Sequence, residues 1–287
     1  MIDLHAHTTA SDGALSFEQL IAEAKRAGLK AIAVTDHDNV QSAVKISGRE
    51  PLEVIPGIEL SVFDAGLGYE DIHVIGLFID PKNETLNSKL ETLGREEQKK
   101  ATIKRLQELG YAITFEEVKA KSQGVVGRPH IAMVLMERYP AEFRTTSDVF
   151  VRLLGRGKPA YIGREAGFGL GEAIGLIRGA GGLSFLCHPF IYPYDPEKLA
   201  SDFKALGGDG IEVHYDYVAN RPDVKITYAE NGKLVAKAKA LAERNGLLAS
   251  GGSDFHGPGK RGHQQLGGFI VSDEVLGRIK TALHKPL

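Results

Sequence analysis

The sequence has one cysteine, no tryptophan and no long uninterrupted apolar run among its 287 residues. A single cysteine, Cys187, excludes an internal disulfide and is typical of a protein kept in a reducing compartment. A membrane-spanning helix needs about 20 consecutive apolar residues, and no basic, then apolar leader precedes His5. We therefore expect a cytoplasmic protein without membrane contact.

The chain also lacks an excess of charge of one sign, since its formal net charge is −2. Such a balance gives no global attraction to nucleic acid or to an anionic surface, so any phosphate binding must be local. Without tryptophan, stacking on a base would fall to tyrosine, phenylalanine or arginine. The length allows one large barrel, alone or with an insertion.

Short apolar runs that end in polar residues alternate with amphipathic helical segments. Residues 31–35 lead into Asp36, His37 and Asp38, and residues 183–187 lead into His188. This pattern predicts parallel strands that present polar groups at their C-terminal ends. About seven such units predict an α/β fold, namely a β/α barrel or a close relative of one.

The rhythm changes between residues 81 and 157. Apolar residues there have helical spacing, Thr114 and Glu117 form a predicted capping box, and Pro129 suits a first helical turn. We therefore predict a helical insertion at 81–157, between barrel segments at 1–80 and 158–287.

The first strand carries two histidines that point the same way. His5 and His7 are two residues apart, so they lie on one face of the strand and form half of a metal site. Further imidazoles and carboxylates follow later strands. The candidate ligands are His5, His7, Asp12, His37, Glu59, His73, His188, Asp254 and His256. This mixed set suits Mn²⁺, Fe²⁺ or Zn²⁺, and its size indicates two or three ions.

Other interpretations of these residues compete. The histidines could be hydrogen-bonded core residues, but so many polar groups in one barrel mouth would be costly without a cation. Asp36 and Glu212 are interpreted as groups that support the ligands, with Asp36 orienting an imidazole. His130 competes with His188 for one metal, and we favour His188 because it ends a strand. Cys187 is interpreted as a small core residue.

Five stretches resemble the motifs of the PHP (polymerase and histidinol phosphatase) family. They are Asp3-Leu-His-Ala-His-Thr8, Thr35-Asp-His-Asp38, Pro56-Gly-Ile-Glu59, His188-Pro189 and Gly252-Ser-Asp-Phe-His256. The resemblance covers all of the chain except the insertion. It implies a distorted (β/α)7 TIM-like barrel, the PHP fold, that holds a trinuclear phosphoesterase site.

The resemblance also implies how the ligands are divided among three ions, of which Mn²⁺ is expected and Zn²⁺ or Fe²⁺ are alternatives. The first ion would be held by His5, His7, Glu59 and Asp254. Glu59 would bridge to a second ion held by His73 and His188. The third ion would be held by Asp12, His37 and His256. Asp12 stands where some members have histidine.

Within the family, the likeness is greatest to nucleoside 3′,5′-bisphosphate phosphatases, which overlap with a 5′→3′ exoribonuclease group of the RNase AM type. It rests on Gly127-Arg-Pro-His130, the helix starting near Arg95, Gly157-Lys-Pro159 and the stretch after Ser253. By this likeness the substrate ligands would be Arg95, Arg128, His130 and Asp12. The sequence departs from the pattern at Gln98, Lys99, His214 and Tyr215.

The basic run that begins with Arg95 is otherwise typical of an exposed helix face. Its other members are Lys99, Lys100, Lys104 and Arg105.

The expected chemistry is attack of a metal-bridged hydroxide on phosphorus, with Glu59, Asp254 and His256 around it. His214 or His263 could protonate the leaving oxygen. The predicted reaction removes the 3′-phosphate of a nucleoside 3′,5′-bisphosphate and also trims short 5′-phosphorylated RNA. Three alternatives remain: a phosphatase for another small monoester such as histidinol phosphate, a non-catalytic PHP-type binding module, and a metal-dependent amide hydrolase. No obligate protein partner is indicated.

Overall fold

The fold is a strand-and-helix barrel, which we describe from a computed structural model. The described residues are 1–46, 51–91, 93, 95–122, 126–163, 167–221, 224–258, 265–269 and 271–284. Within them the strands, in chain order, are β1 (Ile2–Asp3), β2 (Ala31–Val34), β3 (Glu53–Asp64), β4 (Tyr69–Leu77), β5 (Leu183–Leu186), β6 (Gly210–Tyr215) and β7 (Leu248–Gly252).

The helices surround and follow the strands. They are α1 (Phe17–Arg26), α2 (Gln41–Val44), α3 (Glu84–Glu91), α4 (Arg95–Glu108), α5 (Phe115–Lys119), α6 (Arg128–Arg138), α7 (Thr146–Val149), α8 (Leu170–Gly179), α9 (Pro196–Ala205), α10 (Tyr217–Asn220), α11 (Tyr228–Arg244) and α12 (Asp273–Leu283). A π-helix, Phe150–Leu154, extends α7. No helix built from the described residues combines the length and the apolar character that a bilayer crossing requires.

The strands form one sheet in which neighbours follow chain order from β1 to β7. All neighbouring pairs are parallel except those of β4, which runs antiparallel to both β3 and β5. The start of β4 therefore lies at the same end of the barrel as the C-terminal ends of the other strands. The predicted seven-stranded, distorted TIM-like barrel is confirmed, and the reversed β4 is its distortion.

The sheet closes where the chain just after β1 meets the chain just after β7. The amide of Leu4 donates to the carbonyl of Gly251 at 3.1 Å, and that of His7 donates to Phe255 at 2.9 Å. Ala6 and Phe255 form a parallel bridge. Asp3 strengthens this seam, because its Oδ1 accepts hydrogen bonds from the amides of His5 and Ser253.

Apolar side chains fill the barrel and cover its outside. The interior cluster includes Leu4, Ala33, Ile75, Phe185 and Cys187, all of them buried. Two further clusters pack helices against the outer face of the sheet. The mouth that receives the polar strand ends is thus closed from below by a dry core, which fixes the height of every side chain above it.

The described residues between 81 and 157 are helical and contain no strand. Most of the buried apolar side chains in this stretch form a hydrophobic cluster of their own, in which Leu106, Ile131, Leu135 and Leu154 are fully buried. Leu86 of α3 packs instead with the barrel's outer cluster. The domain limits 1–80, 81–157 and 158–287 stay a prediction.

Local signals in the sequence act where we expected them. The hydroxyl of Ser16 accepts a hydrogen bond from the amide of Gln19, and Oε1 of Gln19 accepts one from the amide of Ser16. Thr114 and Glu117 form the same reciprocal capping box at the start of α5. Pro129 lies in the first turn of α6. These helix starts are therefore set by the local sequence.

Gly252 tests how tightly the seam is built. A Cβ added there would lie 2.5 Å from the Cβ of His5, a distance that forces β1 and β7 apart. Gly252→Ala should therefore lower the free energy of unfolding by about 1–3 kcal/mol. Chemical denaturation followed by circular dichroism measures this change.

The matched control is Gly175→Ala in the middle of α8. An added Cβ there meets no atom within 4 Å. The substitution should therefore raise the free energy of unfolding by about 0.4–1 kcal/mol. Equal stabilities for the two variants would show that the seam tolerates a methyl group and that our account of its packing is wrong.

Candidate metal centre

All nine predicted ligands lie together in one polar layer above the barrel's apolar interior. Their nitrogen and oxygen atoms form overlapping groups in which every atom is within 4.8 Å of the others of its group. Seven of the nine side chains are buried, whereas His37 and His73 are half-buried and line the opening. The structure thus brings the residues together, and their role as ligands stays a prediction.

Glu59 of β3 lies at the centre of this layer, and each of its two oxygens faces a different set of imidazoles. Oε2 is 3.3 Å from Nε2 of His5, 3.2 Å from Nε2 of His7 and 3.0 Å from Nδ1 of His37. Oε1 is 2.8 Å from Nδ1 of His73 and 3.3 Å from Nε2 of His188. A carboxylate with oxygens divided in this way can bridge two cations.

His73 reaches Glu59 because β4 runs in the opposite direction to its neighbours. It lies in the middle of β4, opposite Ser61, as Glu59 lies in the middle of β3, whereas the other seven ligands follow the ends of their strands. We expected parallel strands throughout, and the antiparallel pairing of β4 corrects that expectation for one strand. Reversal of one strand makes a mid-strand histidine available to the mouth.

Two further carboxylates complete the layer. Oδ1 of Asp254 is 3.4 Å from Nε2 of His5 and 3.1 Å from Nε2 of His7. Oδ1 of Asp12 is 3.2 Å from Nε2 of His256 and 3.9 Å from Nε2 of His37. Asp254 thus faces both imidazoles of the first strand segment, and Asp12 faces imidazoles from two other segments, so each carboxylate can share a cation with them.

The groups agree with the expected division of ligands in part. The set His5, His7, Glu59 and Asp254 occurs as one group, as expected for a first ion. Asp12, His37 and His256 also occur together, with His7 joining them. The donors expected for the second ion occur in two groups, His37 with Glu59 and His73, and Cys187 with Glu59 and His188.

Several buried imidazole nitrogens lack hydrogen-bond partners, which is evidence that these groups can bind cations. Both ring nitrogens of His7 are buried, and although Nε2 lies close to two carboxylates, neither nitrogen makes a hydrogen bond of good geometry among the described residues. The same holds for Nδ1 of His73 and Nδ1 of His188. Burial of an unsatisfied imidazole nitrogen is costly, and a divalent ion removes that cost. The residues therefore fit the metal centre that the sequence predicts.

Electrostatic coupling is strongest at Glu59. Burial opposes the charge of this carboxylate, but the imidazoles of His37, His73 and His5 outweigh it and hold the pKa of Glu59 well below its usual value. At His37 burial dominates and holds the pKa well below normal, with the charges of His7 and His73 acting in the same direction. Glu59 therefore stays anionic and His37 stays neutral, as metal ligands must be.

The carboxylates around His5 and His7 favour positive charge at this point. Burial opposes protonation of His5, yet Asp254, Glu212 and Glu59 raise its pKa well above the usual value. Burial also opposes protonation of His7, and contacts with Asp254 and Glu59 raise its pKa to about 9. The carboxylates thus create a negative potential at His5 and His7 that favours a cation, either a proton or a metal ion, where these groups meet.

Glu212 of β6 supports the ligands from outside the layer. Its Oε1 is 3.0 Å from Nδ1 of His5, and its Oε2 accepts the amide of His188 at 2.9 Å. Tyr215, three residues later, donates its hydroxyl to Oδ2 of Asp254 at 2.8 Å. The sequence marks Tyr215 only as a departure from the family pattern, because an apolar strand gives no signal that its tyrosine points inward.

Asp36 was expected to orient an imidazole, and the structure corrects this. Its oxygens accept hydrogen bonds from the amide and hydroxyl of Thr8 and from the hydroxyl of Ser11. Asp36 therefore fixes the loop that follows His7 and carries Asp12, instead of touching a ligand ring. Its influence on the site passes through the backbone.

The predicted substrate ligands border the mouth from the insertion side. Nη2 of Arg128 is 2.5 Å from Oδ2 of Asp71, and its guanidinium lies over the ring of Tyr161 at 5.5 Å. His130 is buried, and its Nδ1 accepts the amide of Gly127 at 2.9 Å. A Cβ on Gly127 would lie 3.9 Å from the Cβ of Asp12, so the start of α6 adjoins the polar layer.

Other predicted residues lie elsewhere or outside the description. Arg95 begins α4, but its side chain and all of His263 lie outside the described residues. The expected exposed face of α4 is wrong at Lys99, which is only 5% exposed. His214 follows a bulge in β6, and burial together with the charge of Lys239 lowers its pKa. This places His214 on the α11 side and argues against it as a proton donor.

Backbone strain accompanies two of the ligands. His188 has φ of 26° and Asp254 has φ of 53°, values that non-glycine residues rarely adopt. His188 lies two residues beyond the end of β5, and Asp254 lies two residues beyond the end of β7. Strain of this kind persists only where the surroundings enforce it, and here it aims both side chains into the mouth.

Comparison with known proteins agrees with this geometry. The sequence profile described as the PHP domain matches residues 3–156, more than half of the chain. The chain belongs to the PHP family.

Three relatives of this PHP protein cover nearly its whole length. A 3′,5′-nucleoside bisphosphate phosphatase of Chromobacterium violaceum is 32% identical over 91% of this chain and 89% of its own. A 5′-3′ exoribonuclease of Haemophilus influenzae is 33% identical over 89% and 90%. A solved structure from Chromobacterium violaceum, described as an amidohydrolase with bound sulfate and no metal, has a TM-score of 0.82 at 30% identity, covering 98% and 96%.

The contacts of Glu212 lead to a prediction about metal affinity. Glu212→Ala removes the acceptor that orients His5 and the one that holds the backbone of His188. Loss of such supporting contacts typically weakens metal binding about 10- to 100-fold. Titration calorimetry with Mn²⁺ on protein stripped of metal measures the effect.

Glu243→Ala provides the control, because Glu243 is an exposed carboxylate on α11. It should bind Mn²⁺ as the unaltered chain does. If Glu212→Ala bound Mn²⁺ equally well, the support that we assign to Glu212 would be refuted.

Proposed function

We propose that this PHP protein is a metal-dependent phosphoesterase that removes the 3′-phosphate of nucleoside 3′,5′-bisphosphates. A 5′-nucleotide and phosphate are its products, and 5′→3′ trimming of short 5′-phosphorylated RNA is its second activity. The observation that carries the proposal is the buried carboxylate of Glu59, whose two oxygens face separate sets of imidazoles. The likeness to a bisphosphate phosphatase over nearly the whole chain supports the substrate.

The proposed metal centre holds two or three divalent ions, with Mn²⁺ first and Zn²⁺ or Fe²⁺ as alternatives. The proposed ligands are His5, His7, Asp12, His37, Glu59, His73, His188, Asp254 and His256. When bound, divalent cations polarise a phosphate ester and acidify water, and these are the two needs of its hydrolysis. The cytoplasm is the proposed compartment, since the single cysteine suits reducing conditions.

The chain's own groups hold this arrangement in place. Glu59 keeps its negative charge in the buried layer, while Glu212 fixes His5 and Tyr215 fixes Asp254. Because these partners are positioned before substrate arrives, little reorganisation is needed during the reaction. Asp36 adds the fixed loop that carries Asp12.

The insertion is proposed to bind the phosphate that is not cleaved. Arg128 lies in the first turn of α6, so its guanidinium and the positive helix end favour the same anion. Asp71 and Tyr161 restrain the guanidinium, which lowers the entropy that binding would cost. Arg95, His130 and Asp12 are proposed to act beside it, and residues 81–157 are proposed to form this substrate-binding part.

Three competing functions differ in what they require of these residues. A phosphatase for histidinol phosphate needs the metal centre but no second anion site. A non-catalytic PHP module needs neither turnover nor Arg128. An amide hydrolase, the description given to one solved relative, uses similar ligands. That relative also holds sulfate, a tetrahedral oxyanion with the shape of phosphate, which favours a phosphate ester.

Metal removal tests the reaction class. Protein treated with a chelator and dialysed should release no phosphate from adenosine 3′,5′-bisphosphate, and added Mn²⁺ should restore release. Chromatography should identify adenosine 5′-phosphate as the product. Turnover that survives complete metal removal would overturn the proposal, and protein that stays inert with Mn²⁺, Zn²⁺ and Fe²⁺ would favour the binding module.

Arg128→Ala tests the substrate class. A charge-assisted hydrogen bond contributes about 1.5–3 kcal/mol, so KM for the bisphosphate should rise about 10- to 100-fold. KM for an aryl phosphate, which has no second anion, should barely change. Steady-state phosphate release with both substrates measures the ratio.

Arg26→Ala, an exposed change on α1, should leave both KM values unaltered. If Arg128→Ala weakened the two substrates equally, the second phosphate would not be bound there. The single-monoester alternative would then be favoured.

A further inference from the structure

Cys187 lies where the apolar interior of the barrel meets the polar layer. It directly follows β5 and is fully buried in the interior cluster with Leu4, Ile75 and Phe185. Its Sγ, an oxygen of Glu59 and a ring nitrogen of His188 are all within 4.8 Å of one another. Cys187 thus belongs to the apolar interior and also contributes a sulfur atom at the lower edge of the candidate metal centre.

A second observation points to a ligand at this corner. His188 is only 2% exposed, and its Nδ1 has no hydrogen-bond partner among the described residues. Its Nε2 is 3.3 Å from Oε1 of Glu59. A buried imidazole beside a carboxylate and a sulfur provides three possible cation donors. A purely structural histidine at this depth would be expected to have hydrogen-bond partners for both ring nitrogens.

The chemistry of these three donors restricts the ion. Nitrogen, oxygen and sulfur together suit Zn²⁺ or Fe²⁺, whereas Mn²⁺ prefers oxygen-rich surroundings. His73, the other donor expected for this ion, also faces Oε1 of Glu59, so the three donors would form a four-ligand set with it. The corner therefore differs from the group formed by His5, His7, Glu59 and Asp254, which offers no sulfur.

We propose that Cys187 is a sulfur ligand of the ion shared by Glu59 and His188, and that it makes this one position select Zn²⁺ or Fe²⁺ over Mn²⁺. The inference rests on the metal centre of the proposed function and adds a ligand to it. Ion binding releases the thiol proton to solvent, as for other cysteine ligands. The competing role is packing alone, with Sγ 3.8 Å from the carbonyl of Phe185.

Cobalt tests the assignment without any measurement of turnover. Protein stripped of metal and reloaded with Co²⁺ should show a near-ultraviolet sulfur-to-cobalt charge-transfer band beside the visible d–d bands. The chain has one cysteine, so such a band can arise only from Cys187. Cys187→Ser should abolish the band, and elemental analysis should show loss of about one tightly held Zn²⁺ per chain.

Ser184→Ala is the matched control on the same strand, because Ser184 is buried and bonds Asp209 away from the ligands. It should keep the band. Thermal melting checks that each variant is folded, and if Cys187→Ser fails to fold, the spectrum of the unaltered protein still decides.

The outcomes separate this inference from the proposed function. Visible d–d bands without the charge-transfer band would refute sulfur ligation while leaving the metal centre intact. Absence of bound cobalt altogether would overturn both. Unchanged Zn²⁺ retention in a folded Cys187→Ser would also refute the inferred selectivity.

Discussion

The structure depends on one buried carboxylate. Glu59 is fully buried at the centre of the barrel mouth and lies within 3.3 Å of five imidazole nitrogens from different parts of the chain. An isolated charge at this depth would be expelled or neutralised, so it persists only with partners on every side. Because both oxygens are used, loss of one partner leaves the others under strain. The geometry of the mouth follows from this single requirement of charge compensation.

The sheet is built to meet that requirement. Strands that run in one direction bring their C-terminal ends to the mouth, and the reversed β4 adds His73 from its middle. At the seam the chain after β1 meets the chain after β7, which brings His5 within 3.4 Å of Asp254. Gly252 allows this approach because it has no Cβ to separate the two segments.

The surroundings of the mouth explain how one centre can serve related substrates. Below it lies a dry core, and beside it α6 presents its N-terminal turn and Arg128. Asp71 of β4 ties this arginine to the barrel, so the helical part and the sheet share one ion pair at the rim. Relatives named a bisphosphate phosphatase and an exoribonuclease match this chain over nearly its whole length.

Some of this is fixed by the sequence alone. The helix starts at Ser16 and Thr114 follow from residues three positions apart, and the facing of His5 and His7 follows from strand periodicity. The nine polar residues and the barrel could likewise be predicted, since each strand end carries its own signal. The family motifs supplied the division of ligands, which no spacing within the chain reveals.

Tertiary structure decided the rest, because contacts between distant segments leave no local pattern. The reversal of β4, the contact of Asp36 with Thr8, the burial of Lys99 and the inward turn of Tyr215 all depend on neighbours far away in the chain. The position of Cys187 beside Glu59 and His188 is of the same kind. The sequence alone determined which side chains are available to hold cations. Only the packing of the closed barrel decided which of them meet.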